Sequence, residues 1–245
     1  MGRRAVQNKY VGDIGDYLKL GILRALSPGK RLGVAWWLHP DGGAAGDGRH
    51  TGYLDAGLDW RPYDPPLFDH LRAAVGSGNR AITALEDHTV LPGAVFASEQ
   101  IPVTCAPPER PVQRAAWFGR VKARLKDCDL VFADPDNGIE PAGYKATMGN
   151  AGKSITWDEI LSLRAPGRAL IVYHHQTRFK GGHLNEIAHL AGGLRDRGVA
   201  SVDAVRASPY SPRVFFLLDA DEGLRSRAAR LGGHWGEHLS WHPAP

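Results

Sequence analysis

The chain is short of cysteine. Two occur among 245 residues, Cys105 and Cys128, too few for a disulfide framework and without the paired spacing of a zinc site. Long apolar runs are missing too, and none approaches the roughly 18 residues that read as a transmembrane helix. The opening, MGRRAVQNKY, is basic but lacks the apolar core of a secretory signal. These absences lead to the expectation of a reduced, cytoplasmic protein with no membrane partner. No repeat is visible, nor any linker long enough to separate domains, so a single α/β domain over residues 1–245 is expected. Neither sign of charge dominates: the formal net charge is +4, which fits contact with phosphates or nucleic acid without requiring it.

What is present centres on DLVFADPDNG, Asp129 to Gly138. An apolar run from Leu130 to Ala133 stops abruptly in Asp134-Pro135-Asp136-Asn137. A buried strand that ends in carboxylates and a turn is a common way for α/β enzymes to present reactive groups at the carboxyl edge of a sheet. A second such edge is RALIVY, a buried strand over Arg168–Tyr173 that runs into His174-His175-Gln176-Thr177-Arg178.

The remaining segments supply a frame. Asp13–Leu26 has helical apolar spacing with Asp13 as N-cap, and places Asp16 and Lys19 on adjoining turns. Leu32–Leu38 reads as a strand. The glycine-rich turn after it, with Asp41, Gly42, Gly43 and Gly46, would let a ligand approach the backbone closely. Arg80–Leu85 reads as a second strand ending at Glu86, where nucleotide-binding sheets often hold a ribose hydroxyl. A brief strand at Ala94–Ala97 and a basic amphipathic helix at Val112–Leu125 follow. The loop from Asn137 to Thr156 has the length and glycine content of a lid, and Thr156 with Glu159 forms a capping-box pattern. Val199–Val205 and Arg213–Leu218 are two strands on a short connection, hence antiparallel. The expected class is therefore a doubly wound, Rossmann-like α/β sheet with a terminal antiparallel strand pair.

This arrangement resembles the ribosomal RNA adenine methyltransferases of the RlmJ type. The residues that carry the likeness are DIGDYLKL, the glycine-rich turn, and Asp134-Pro135 standing where that family has Asp-Pro-Pro-aromatic. The resemblance implies a sheet of the methyltransferase type, S-adenosylmethionine as cofactor, and a nucleic acid or nucleotide-like amino group as substrate. It implies that Asp41, Gly42, Gly43, Gly46 and Glu86 hold the cofactor. It also implies that Asp134 accepts a hydrogen bond from the target amino group, Pro135 shapes the turn, and Lys19, with Asp16, lies near the site. Asp136 and Asn137 depart from the pattern. Two alternatives stay open from the residues themselves. One is metal-dependent hydrolysis of a phosphodiester or nucleotide, with Mg²⁺ or Mn²⁺ on Asp134, Asp136, His174 and His175, and Arg178 neutralising a phosphate. The other is a non-catalytic nucleic-acid-binding protein.

Overall fold

The computed structural model describes residues 11–40, 50–78 and 80–244. Asp41, Gly42, Gly43 and Gly46 lie outside them. In chain order the principal elements are α1 (Ile14–Leu26), β1 (Leu32–Trp36), α2 (Gly57–Trp60), α3 (Pro65–Gly76), β2 (Val95–Ala97), α4 (Arg110–Arg124), β3 (Leu130–Asp134), β4 (Gly138–Ile139), β5 (Ser154–Ile155), α5 (Trp157–Leu163), β6 (Ala169–His175), α6 (Gly182–Asp196), β7 (Val202–Ala207), β8 (Arg213–Leu218), α7 (Glu222–Trp235) and β9 (Leu239–His242). The described residues of Met1–Pro28 and Pro40–Ala94 form one compact unit, and those of Gly29–His39 and Val95–Pro245 form another.

The first unit is helical. Asp13 caps α1 by accepting from the Asp16 amide. Tyr17, facing inward from α1, donates its hydroxyl to the Trp60 carbonyl at 2.8 Å and lies 5.3 Å from the Tyr53 ring. Phe68 on α3 meets both rings edge-on, so this unit is built on an aromatic cluster.

The second unit holds a seven-stranded mixed sheet in the order β2-β1-β3-β6-β8-β7-β9. β2, β1, β3 and β6 are mutually parallel. β8 runs antiparallel to both β6 and β7, and β9 antiparallel to β7. The architecture is therefore α/β with a mixed sheet, compatible with a Rossmann-like fold, and its β7–β8 pair is antiparallel. The apolar runs explain it: β1 and β8 are buried along their whole length, as strands covered on both faces must be. Adjacent residues at the end of β1 pack on opposite sides, as strand alternation requires. Trp36 stacks near Phe96 and meets Phe132 edge-on, while Trp37 sits 5.2 Å from Trp117 of α4.

One expectation is corrected. Arg80–Leu85 is not a strand: Ile82–Ala84 form a 3₁₀ turn, and of residues 80–85 only Leu85 is buried. The alternation there had no ladder to join, and the strand beside β1 is the brief Val95–Ala97. Near the end of the chain, Leu239–His242 pairs with β7 as β9.

Candidate functional site

The chain leaves β1, returns as β2 on one side of it, then crosses through α4 to β3 on the other side. This reversal makes the β1–β3 edge the topological switch point, where open α/β sheets bind ligands at strand carboxyl ends. Asp134 pairs in register with Trp36. Its carbonyl accepts the Trp37 amide at 3.3 Å, so the acidic turn is pinned directly against the end of β1. Pro135 is buried, Asp134 and Asp136 are half-buried, and Asn137 is exposed.

The rest of the turn is not open. The Asn137 amide donates to the Lys153 carbonyl at 2.8 Å, and Asp136 meets Lys153 Nζ at 3.3 Å. β4 and β5 then pair in parallel. The long loop between them, expected as a lid, is held down by α4. Arg110 donates to the Thr147 carbonyl at 2.7 Å. Arg114 donates to the Ala151 and Ser154 carbonyls at 2.7 and 2.5 Å. Its guanidinium also grips both oxygens of Glu159, at 2.6 and 2.7 Å. Both side chains are buried. Burial works against the Arg114 charge, but its bonds to Glu159 more than offset that and hold it firmly cationic. The capping box read from Thr156 and Glu159 is present.

β6 extends two residues further than its apolar run suggests, so His174 and His175 are both strand residues with side chains on opposite faces. They do not converge on one ligand. His175 shares its face with Tyr173, whose hydroxyl lies 3.0 Å from His175 Nδ1, and Ser211 Oγ lies 3.0 Å from Nε2. His174 is 3% exposed. Its Nδ1 accepts the Ile139 amide at 3.1 Å, and its Nε2 lies 3.2 Å from Glu186 Oε1. Because an amide can only donate, Nδ1 is the acceptor and Nε2 carries the proton given to Glu186. Burial lowers the His174 pKa, only partly countered by Glu186, so the ring is neutral. Gly138 makes this contact possible: it has φ +95°, and a Cβ there would overlap the His174 ring.

Glu186, in the second turn of α6, is 2% exposed. Burial alone would raise its pKa. The hydroxyl and amide of Thr177, together with His174, donate to it and hold it below the usual carboxylate range. Next to it, His183 accepts Arg206 Nε at Nδ1, 3.1 Å away. Its protonated Nε2 is buried with no acceptor among the described residues. Burial, then the Arg206 charge, pushes the His183 pKa down to about 4.

The site residues expected from sequence are distributed over both units. Asp134, Pro135, Asp136 and Asn137 stand at the β1–β3 edge. Asp16 and Lys19 form the expected pair at 3.5 Å, in the first unit. Glu86 also belongs to the first unit and follows a turn rather than a strand. Arg178 is exposed in the loop after β6. Among the described residues no three His, Cys, Asp or Glu side chains group so as to hold a metal ion, and no helix is long and apolar enough to cross a membrane. Sequence reasoning passed over Glu99, Glu186 and Arg114. Glu99 had a signal, an acid two residues past the brief strand that became β2. Glu186 had none locally, since its partners arrive from β6 and the loop after it. No family model matches the chain, and no curated protein or solved structure matches it either.

Proposed function

We propose that the chain is a Rossmann-like enzyme of the methyltransferase type, which binds S-adenosylmethionine over the β1–β3 edge and methylates an amino group of a nucleic acid or nucleotide. One observation carries the reading. Asp134-Pro135 ends β3 immediately beside the end of β1, at the switch point of a sheet whose β8 is reversed between β6 and β7. A reversed strand in that place and an acidic turn on the strand beside the first are the layout such enzymes share, and the RlmJ-type resemblance adds the substrate class.

Two features of the described residues fit the cofactor. Glu99, just past β2, is the acid at the end of the strand beside β1. Its pairing with Arg120 is half-exposed and leaves outer lone pairs for ribose hydroxyls. The Trp37 indole N–H, directly after β1, is buried without an acceptor among the described residues. When bound, the cofactor supplies an electrophilic methyl group. The chain's own role is to orient the amine: the Asp134 carboxylate accepts its N–H, and Pro135 fixes the turn that aims it. Asp136 is paired with Lys153 and the Asn137 amide is bound to the Lys153 carbonyl just before β4, so neither replaces the stacking aromatic of the family motif. The hydrolytic alternative gains nothing from the site, because both ring nitrogens of His174 are engaged in the fold.

Thermal denaturation tests the reading. S-adenosylmethionine at a hundredfold excess over its Kd adds about 2.7 kcal/mol to stability, a shift of several degrees. Asp134→Ala should keep that shift and lose transfer of labelled methyl to RNA. No shift at saturating cofactor would sink the proposal.

A further inference from the structure

A cleft of about 810 Å³ opens at the carboxyl end of β6, between the loop after β4 and the helix α6. Its walls are largely apolar and aromatic, with Tyr144, Trp157 and Phe179 among the lining residues. Volume and lining suit a small organic ligand. Its charges are unusual for this chain. Glu140, Glu186 and Asp196 line it against Arg197 alone, an acidic pocket in a protein of net charge +4.

Glu186 gives that acidity its meaning. Each of its contacts, Thr177 amide and hydroxyl and the His174 imidazole, is a neutral donor. A buried carboxylate held ionised without a cation partner is costly, and the cost falls once a cation or a charged donor reaches it. The cleft also shows that its aromatic wall accepts such a group. The Arg197 guanidinium lies 4.4 Å from the Trp157 ring centroid, a planar cation on an aromatic face.

We infer that this cleft binds a planar organic cation, an amidinium, guanidinium or protonated heteroaromatic base, with its charged edge toward Glu186 and its flat body against the aromatic wall. Asp134 and Pro135 are not among the residues that line it, and the inference does not depend on methyl transfer. An anionic ligand is disfavoured by the three carboxylates. A neutral ring gains only the apolar wall.

The discriminating probes share one shape. Benzamidine is a planar cation, benzamide its neutral counterpart and benzoate its anionic one. Titration calorimetry on the full chain should show benzamidine binding in the sub-millimolar range, benzamide weaker by roughly tenfold or more, and benzoate not at all. Glu186→Gln should erase the preference for benzamidine over benzamide. Because Glu186 also anchors the loop after β6, a second variant guards against misfolding. Gly192 lines the cleft from mid-α6, and a Cβ there meets nothing within 4 Å. Gly192→Leu therefore fills the cleft while favouring the helix, and should abolish benzamidine binding with the melting temperature preserved. Absence of benzamidine binding in the wild-type chain overturns the inference. So does equal affinity for benzamide, or binding that survives Gly192→Leu.

Discussion

Two buried carboxylates in the sheet-bearing unit have opposite surroundings. Glu159 meets the Arg114 guanidinium through two hydrogen bonds, so its charge is matched within the fold. Glu186 meets Thr177 and a neutral His174, so its charge is solvated by donors but not balanced. The first arrangement is a staple: Arg114 reaches the loop carbonyls of Ala151 and Ser154 from the same guanidinium and fixes the chain between β4 and α5. The second lines a cleft. A fold that needed only rigidity at Glu186 could have used an arginine, as it does at Glu159. The contrast separates a charge spent on structure from a charge kept for a ligand.

The largest effect that sharpens the contrast is on the staple. Arg114→Met leaves Glu159 buried and unpaired, and should cost about 3–5 kcal/mol by urea denaturation. Faster amide exchange should appear across residues 140–155. A loss under 1 kcal/mol would show the pair to be dispensable.

The next effect is pH dependence around Glu186. Burial and Arg206 lower the His183 pKa to about 4. Below its ordinary value, near 6.5, the unfolded chain takes up a proton that the folded chain refuses. Stability is therefore full above about pH 6.5 and falls as pH drops toward 4, by at most about 3 kcal/mol from this group. His174, His175 and His242 are also depressed, chiefly by burial, and act in the same direction. His183→Gln should flatten part of the slope between pH 6.5 and 4 in urea titrations. An unchanged slope would show that His183 is not held neutral.

The smallest effect is the most telling as a pair. Glu159→Gln strands a buried guanidinium and should cost about 3 kcal/mol or more. Glu186→Gln removes a charge that has no cation, so relief of its burial offsets the weakened hydrogen bonds. The net should stay within about 1 kcal/mol. Equal losses in the two variants would erase the distinction.

Much of this architecture can be read locally. The strands β3 and β6 are apolar runs, the capping box is a four-residue pattern, and the hairpin follows from a short connection. The second strand is misplaced by local pattern because residues 80–85 alternate acceptably but have no neighbouring strand, whereas Val95–Ala97 is short and has one. The histidine pair misleads for a similar reason. With β6 continued by two residues, His174 and His175 alternate across the sheet instead of sharing a site. The Glu186 site could not be read at all. It joins Ile139, His174, Thr177 and α6, and only the close approach of β4 to the end of β6 brings them together. The Arg114–Glu159 pair joins α4 to α5 in the same way, across 45 positions.

The most direct test is the protonation state of His174. Imidazole nitrogen NMR on the folded chain near neutral pH reads it without perturbing the site. A neutral ring protonated only at Nε2, with Nδ1 accepting the Ile139 amide, is the result expected, and it leaves Glu186 without a cation. An imidazolium protonated at both nitrogens would supply that cation from within the fold and contradict the account.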